Sequence, residues 1–107
     1  MEYKESLQEK ICIPKEIIEK FINENRDRIL KQLGNKSQLY VLLFATQSRD
    51  KFTYQYDYSL YDAKSDEYAL MYLLEKYRID PDKNRIGLAR IEKRGENDFD
   101  YKLILYK

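Results

Sequence analysis

The sequence predicts an α+β fold in two layers: an about four-stranded, mainly antiparallel sheet with two helices on one face, in the order α-β-β-α-β-β. Three observations predict it. The chain has 107 residues, a size that buries enough surface for one core and leaves little for a second, so residues 1–107 are read as a single domain. Apolar residues recur at three-to-four-residue spacing in two stretches, and four further stretches have the length and composition of strands. A helix pattern followed by two strand patterns, given twice, builds two layers most simply.

Pro14 stands where a helix begins, because its fixed φ suits that place and its missing donor costs nothing there. From about Pro14 to Leu33, residues Ile17, Ile18, Phe21, Ile22, Ile29, Leu30 and Leu33 form an apolar stripe on an otherwise charged helix. Gly34 ends it with a residue that takes positive φ cheaply. Leu39 to Ala45 is apolar throughout and too short for a helix, which predicts an interior strand. After the polar turn of Gln47, Ser48, Arg49 and Asp50 the chain alternates, with Phe52, Tyr54, Tyr56 and Tyr58 on one face and Thr53, Gln55 and Asp57 on the other. Ser65 caps a second helix with Asp66 and Glu67 in its first turn and Leu70, Leu73, Leu74 and Tyr77 as its buried stripe. Pro81 disfavours helical geometry at Asp80, so this helix finishes near Ile79. Arg85 to Lys93 and Phe99 to Tyr106 then form a closing hairpin. The segment ahead of Pro14 has room for a short helix or strand.

Composition removes several chemistries. Histidine is absent and Cys12 is the single cysteine, so no His-based triad, disulfide or Cys/His zinc cage is available, and neither metal nor cofactor is expected. Cys12, between Ile11 and Ile13, reads as a small buried hydrophobe rather than a nucleophile. The 20 basic and 19 acidic residues are balanced along the chain as well as overall, which leaves no basic arm for a phosphate backbone. No apolar run resembles a secretory signal or reaches membrane-spanning length, so the expected location is cytoplasmic, with no membrane partner. The bias toward Lys, Tyr and Ile over Ala and Gly accompanies AT-rich genomes, as in many bacteria and phages.

Two features carry functional expectations. The aromatic run Tyr54, Tyr56, Tyr58 and Tyr61, with Asp57 and Asp62 beside it, is either core with hydroxyls at its rim or a rigid amphipathic platform for a protein partner. Stacking on single-stranded bases is disfavoured because the strand interposes Thr53, Gln55 and Asp57 rather than Lys or Arg. Arg85, Arg90, Lys93 and Arg94 form the second feature, a cluster that is either solvated or an anion site. Asp80, Asp82 and Asn84 match the first ligand positions of a calcium loop, but Arg85 occupies its glycine and Ile91 its glutamate, so a polar turn explains them.

The helix-then-hairpin layout with its Tyr-rich strand resembles small bacterial immunity and inhibitor proteins. This resemblance implies a non-enzymatic module that binds another protein, as an immunity, antitoxin or anti-defence protein does. The alternatives are a nucleic-acid-associated accessory protein that uses the basic cluster, and a small enzyme with carboxylate or tyrosine chemistry for which no residue pair stands out. Self-association through an edge strand, such as the one ending at Tyr106, is a further expectation.

Overall fold

The computed structural model describes residues 11–107. One antiparallel sheet organises them, in the spatial order β2-β1-β3-β4, with β1 (Gln38–Gln47), β2 (Tyr54–Tyr61), β3 (Asn84–Lys93) and β4 (Phe99–Leu105). Among the described residues there are three helices, α1 (Lys15–Glu24), α2 (Arg26–Leu33) and α3 (Asp66–Lys76). The α+β class and the antiparallel sheet are as expected.

The arrangement of the helices is not. The single helix expected from Pro14 to Leu33 breaks at Asn25, whose backbone turns to φ −111° and ψ 22° and whose Nδ2 donates to the Phe21 carbonyl at 2.9 Å. An Asn that bonds the backbone four residues back competes with helical geometry, and the helix is interrupted there. The helices also lie on both faces of the sheet, not on one. Leu39, Val41, Leu43 and Ala45 pack with Ile18, Ile22, Ile29 and Leu33 of α1 and α2. Tyr40 and Leu42 pack with Ala69, Leu70 and Leu73 of α3 on the opposite face. Both faces of β1 are apolar, so a helix layer on one side alone would leave the other in water.

Three smaller differences are local. Phe52, expected in a strand, sits in the β1–β2 loop at 89% exposure. That loop is held by Asp50, whose carboxylate accepts the Phe52 and Thr53 amides at 2.9 and 3.2 Å. The same bonds draw its pKa down to about 2. Helix α3 stops at Lys76 because Tyr77 turns to extended geometry and stacks on Phe44 at 4.4 Å. Leu74, expected in the buried stripe, is exposed.

Two devices fix α1 against the sheet. Gly87 of β3 lets the helix approach closely, since a Cβ there would lie 2.9 Å from Ile18 Cδ1. Tyr101 of β4 donates to Glu19 at 2.8 Å. Ahead of α1, Ile13 donates to the Ile86 carbonyl at 2.8 Å and Ile86 donates to the Ile11 carbonyl at 2.7 Å, so residues 11–13 run alongside the start of β3. Lys107, beyond the end of β4, exchanges bonds with Ile13 and Lys15 on the far side of that segment. The register of β4 shifts beside Leu88 and Ala89, where this segment enters. Both devices hold α1 over β3 and β4, so the sheet face of β2 is left partly uncovered.

Candidate functional site

The open strip lies between α1 and the tyrosines of β2. In the β1–β2 ladder Leu43 faces Tyr58, Ala45 faces Tyr56 and Gln47 faces Tyr54, so Tyr54, Tyr56 and Tyr58 share the face on which α1 and α2 pack. Tyr58 is covered: its ring meets Phe21 edge-on at 4.6 Å, and its hydroxyl accepts a hydrogen bond from Arg28. Tyr56 remains 45% exposed. Burial of its other half, with Tyr54 beside it, raises its pKa.

Two recesses meet at Tyr56 and Ile17. The first, of 510 Å³, lies over Leu43 and is walled by Phe21, Lys20, Glu24 and Asn25. The second, of 240 Å³, lies over Ala45 and is walled by Tyr54, Arg85, Pro14 and Lys107. Together they form a groove that runs along α1, apolar over Leu43 and cationic at the Arg85 end. Arg85 is half-buried there, held by bonds from its Nη1 to the Pro81 and Asn84 carbonyls, each at 2.8 Å. Among the described residues no carboxylate pairs with it. Lys20, by contrast, faces Glu24 at 3.8 Å.

The six aromatic and acidic residues expected to act together are therefore divided between two faces. Tyr54, Tyr56 and Tyr58 line the α1 side. Tyr61 is on the α3 side and stacks on Tyr72 at 3.9 Å. Asp57 also faces α3 and accepts from the Tyr77 hydroxyl at 3.2 Å. Asp62 borders a separate recess of 330 Å³ with Tyr61, Lys64 and Tyr68. The Tyr58 and Tyr61 rings are packed against neighbouring rings, as core residues are, while Tyr56 keeps an exposed face.

The four basic residues are not brought together. Arg85 and Arg90 point to opposite faces of β3, because they are five positions apart on one strand. Arg90 is engaged with Asp66 at 2.9 and 3.2 Å, Lys93 donates to the Gly34 carbonyl at 2.6 Å, and Arg94 meets Asp100 at 3.2 Å. Only Arg85 reaches the groove. The calcium-like triplet closes its own turn, with Asp82 N donating to Asp80 Oδ1 and Asp80 N donating to Asn84 Oδ1, each at 3.0 Å.

Among the described residues, the titratable groups Tyr40, Asp66 and Arg90 converge. Tyr40 donates to Asp66 at 2.6 Å beneath the start of α3, and Arg90 completes the set. Tyr40 is buried, and that burial, with Asp66 beside it, pushes its pKa up to about 12. These groups lock α3 to the sheet, each satisfied by the others. The Cys12 thiol is likewise pushed up to about 12 by burial, so it stays protonated and lacks the thiolate that nucleophilic chemistry requires. Among the described residues no group of three or more acidic or cysteine side chains is placed to hold a metal ion, and no helix is long and apolar enough to cross a membrane.

Sequence reasoning missed Ile17, Phe21, Tyr68 and Met71. Ile17 and Phe21 form a second row beside Ile18 and Ile22, which makes the apolar stripe of α1 wider than a single buried seam. Residues 68–74 are apolar without interruption, which a helix covered on one side must partly expose; Tyr68 is 61% and Met71 53% exposed. No protein-family model, curated protein or solved structure matches the chain.

Proposed function

We propose that this protein is a cytoplasmic, non-enzymatic binding module that acts by attaching to another protein, in the manner of an inhibitor. The observation that carries the reading is the groove between α1 and β2, where Tyr56, Ile17 and Phe21 leave apolar surface in contact with water. Its walls are stiff. Tyr56 sits on a strand in unbroken register with β1, and α1 is pinned by Gly87 and by the Tyr101–Glu19 bond. A preformed surface loses little conformational freedom on association, and rigid tyrosines supply contact area at low entropic cost.

The opposing charges argue for the same partner class. Nucleic acid needs an extended cationic stripe, whereas three of the four residues counted for one, Arg90, Lys93 and Arg94, are each committed to an acceptor elsewhere.

Site-specific crosslinking tests the reading. A photoreactive phenylalanine at Tyr56, introduced into the protein in its native host, is expected to give one saturable adduct that resists nuclease and is competed away by excess unmodified protein. The same group at the exposed Lys36, outside the groove, is expected to give none. Absence of an adduct at position 56, or an adduct destroyed by nuclease, would refute a protein-binding role.

A further inference from the structure

The two ends of the groove differ in chemistry, and the difference specifies an occupant. Over Leu43 the walls are Ile17, Phe21 and Tyr56, a recess of 510 Å³ that admits a large apolar side chain. Over Ala45 the recess narrows to 240 Å³, enough for one side chain, and Arg85 forms one wall opposite Tyr54 and Tyr56. Ala45 is what makes the second recess possible. Its neighbours on the same face of β1 are Leu43 and Gln47, and a side chain of either length at position 45 would fill the space between the tyrosines and the arginine.

Arg85 is poised for an anion. Its Nη1 is fixed by two backbone carbonyls, which orients the guanidinium plane, yet no carboxylate of the described residues neutralises it. Partial burial beside two tyrosine rings lowers the local dielectric, so a charge-assisted bond there gains more than it would in open water. Guanidinium geometry matches a carboxylate in a two-point contact.

We infer that the groove recognises a segment of the partner protein that carries an acidic residue and a large apolar residue on one face, the carboxylate at Arg85 and the apolar side chain over Leu43. The inference rests on the binding role proposed above and adds to it the chemistry of the partner. Leu43 and Ala45 are two positions apart on β1, a separation of about 6.6 Å along the strand. Residues i and i+2 of an extended chain span the same distance and point the same way. The recognised pattern is therefore Asp or Glu, any residue, then Leu, Ile, Met, Phe or Tyr, read in either chain direction.

Selection from a displayed library of random ten-residue peptides on the immobilised full chain tests this. Enriched peptides are expected to carry the acidic-x-apolar pattern, and a synthetic peptide of that sequence is expected to shift the amide resonances of Ala45, Tyr56 and Arg85. Arg85→Gln is expected to weaken that peptide by about ten- to a hundredfold, the range for a hydrogen bond to a charged group. Replacing the peptide's acid by its amide is expected to weaken binding to the native protein by a similar factor and to leave binding to the Arg85→Gln variant unchanged. The inference fails if the enriched peptides lack an acid, if Arg85→Gln binds them as tightly as the native protein does, or if the shifts map to Tyr68 and Met71 on α3. A crosslink at Tyr56 together with a failed selection would remove this pattern and leave the binding role standing. A pattern-bearing peptide bound at Arg85 with no crosslink in the host would uphold the pocket chemistry and remove the cellular role.

Discussion

Gly87→Ala is expected to destabilise the protein by about 1 to 3 kcal/mol, the usual cost of forcing a methyl group into a packed core. The new Cβ would sit 2.9 Å from Ile18 Cδ1, 3.2 Å from Ile18 Cγ1 and 3.5 Å from Ile13 Cβ. Ile18 is fully buried, so it has no solvent-side rotamer in which to escape. Ile18→Ala alone is expected to cost about 2 to 5 kcal/mol through lost burial and the cavity left behind. The two changes are coupled, because the truncated side chain vacates the space that the new methyl group needs. Urea unfolding of the double variant should show a loss smaller than the sum of the single losses by about 1 kcal/mol or more. Strict additivity would mean that α1 does not rest on Gly87. The pair also reports on function, since lifting α1 from the sheet changes the width of the groove.

Asp66→Ala is the second large effect, expected to cost about 2 to 3 kcal/mol, the range for hydrogen bonds to a charged group. It removes the acceptor of Tyr40 at 2.6 Å and of Arg90 at 2.9 Å, and it leaves the buried hydroxyl and the half-buried guanidinium without the anionic acceptor they share. The Glu92 carboxylate, 3.9 Å from Arg90, softens the loss of charge without replacing the bond. Tyr40→Phe should cost less, about 1 kcal/mol, because Asp66 keeps Arg90. The variants also differ in pH response. The Tyr40 pKa stands at about 12 in the folded protein against 10.0 for a free tyrosine, first through burial and then through Asp66. A group whose pKa is raised by folding stabilises fully below its unfolded value and loses that contribution as pH rises through its folded one. Between about pH 10 and 12 the native protein should therefore lose stability faster than Tyr40→Phe, measured by urea unfolding at each pH. Parallel pH profiles would show that the hydroxyl is not the titrating group.

How much of this was legible in the residues differs from element to element. The strands were readable because period-two alternation and apolar runs are direct consequences of pleat and burial. The run Leu39 to Ala45 also held the clue to the helix layers, since a strand apolar on successive residues requires cover on both faces. Assigning both helices to one face ignored it. The break at Asn25 was hidden by a hydrophobic spacing that continues across it from Ile22 to Ile29, because an apolar stripe records which side is buried and not whether every backbone unit along it is helical.

The site was only partly readable. Tyr54 and Tyr56 stood out by composition, and their open face depends on where α1 is anchored, which is set by Gly87 and Tyr101 far along the chain. Arg85 looked equivalent to Arg90, Lys93 and Arg94 on a one-dimensional count. Strand parity and the partners Asp66, Gly34 and Asp100 separate them, and only folded pairing supplies those partners. Tyr61 was grouped with the other tyrosines, although its odd position relative to Tyr58 already places it on the opposite face.

The groove beside β2 is the centre of this account, and paired substitutions on its two competing apolar surfaces test it most directly. Tyr56→Ala and Met71→Ala each remove one exposed apolar side chain from a surface position, the first in the groove and the second on the outer side of α3. Affinity for the crosslinked partner, measured by titration calorimetry on variants whose circular dichroism matches the native protein, should fall at least tenfold for Tyr56→Ala and change less than twofold for Met71→Ala. The reverse order, with Met71→Ala losing binding and Tyr56→Ala retaining it, would contradict the account and move the working surface to α3.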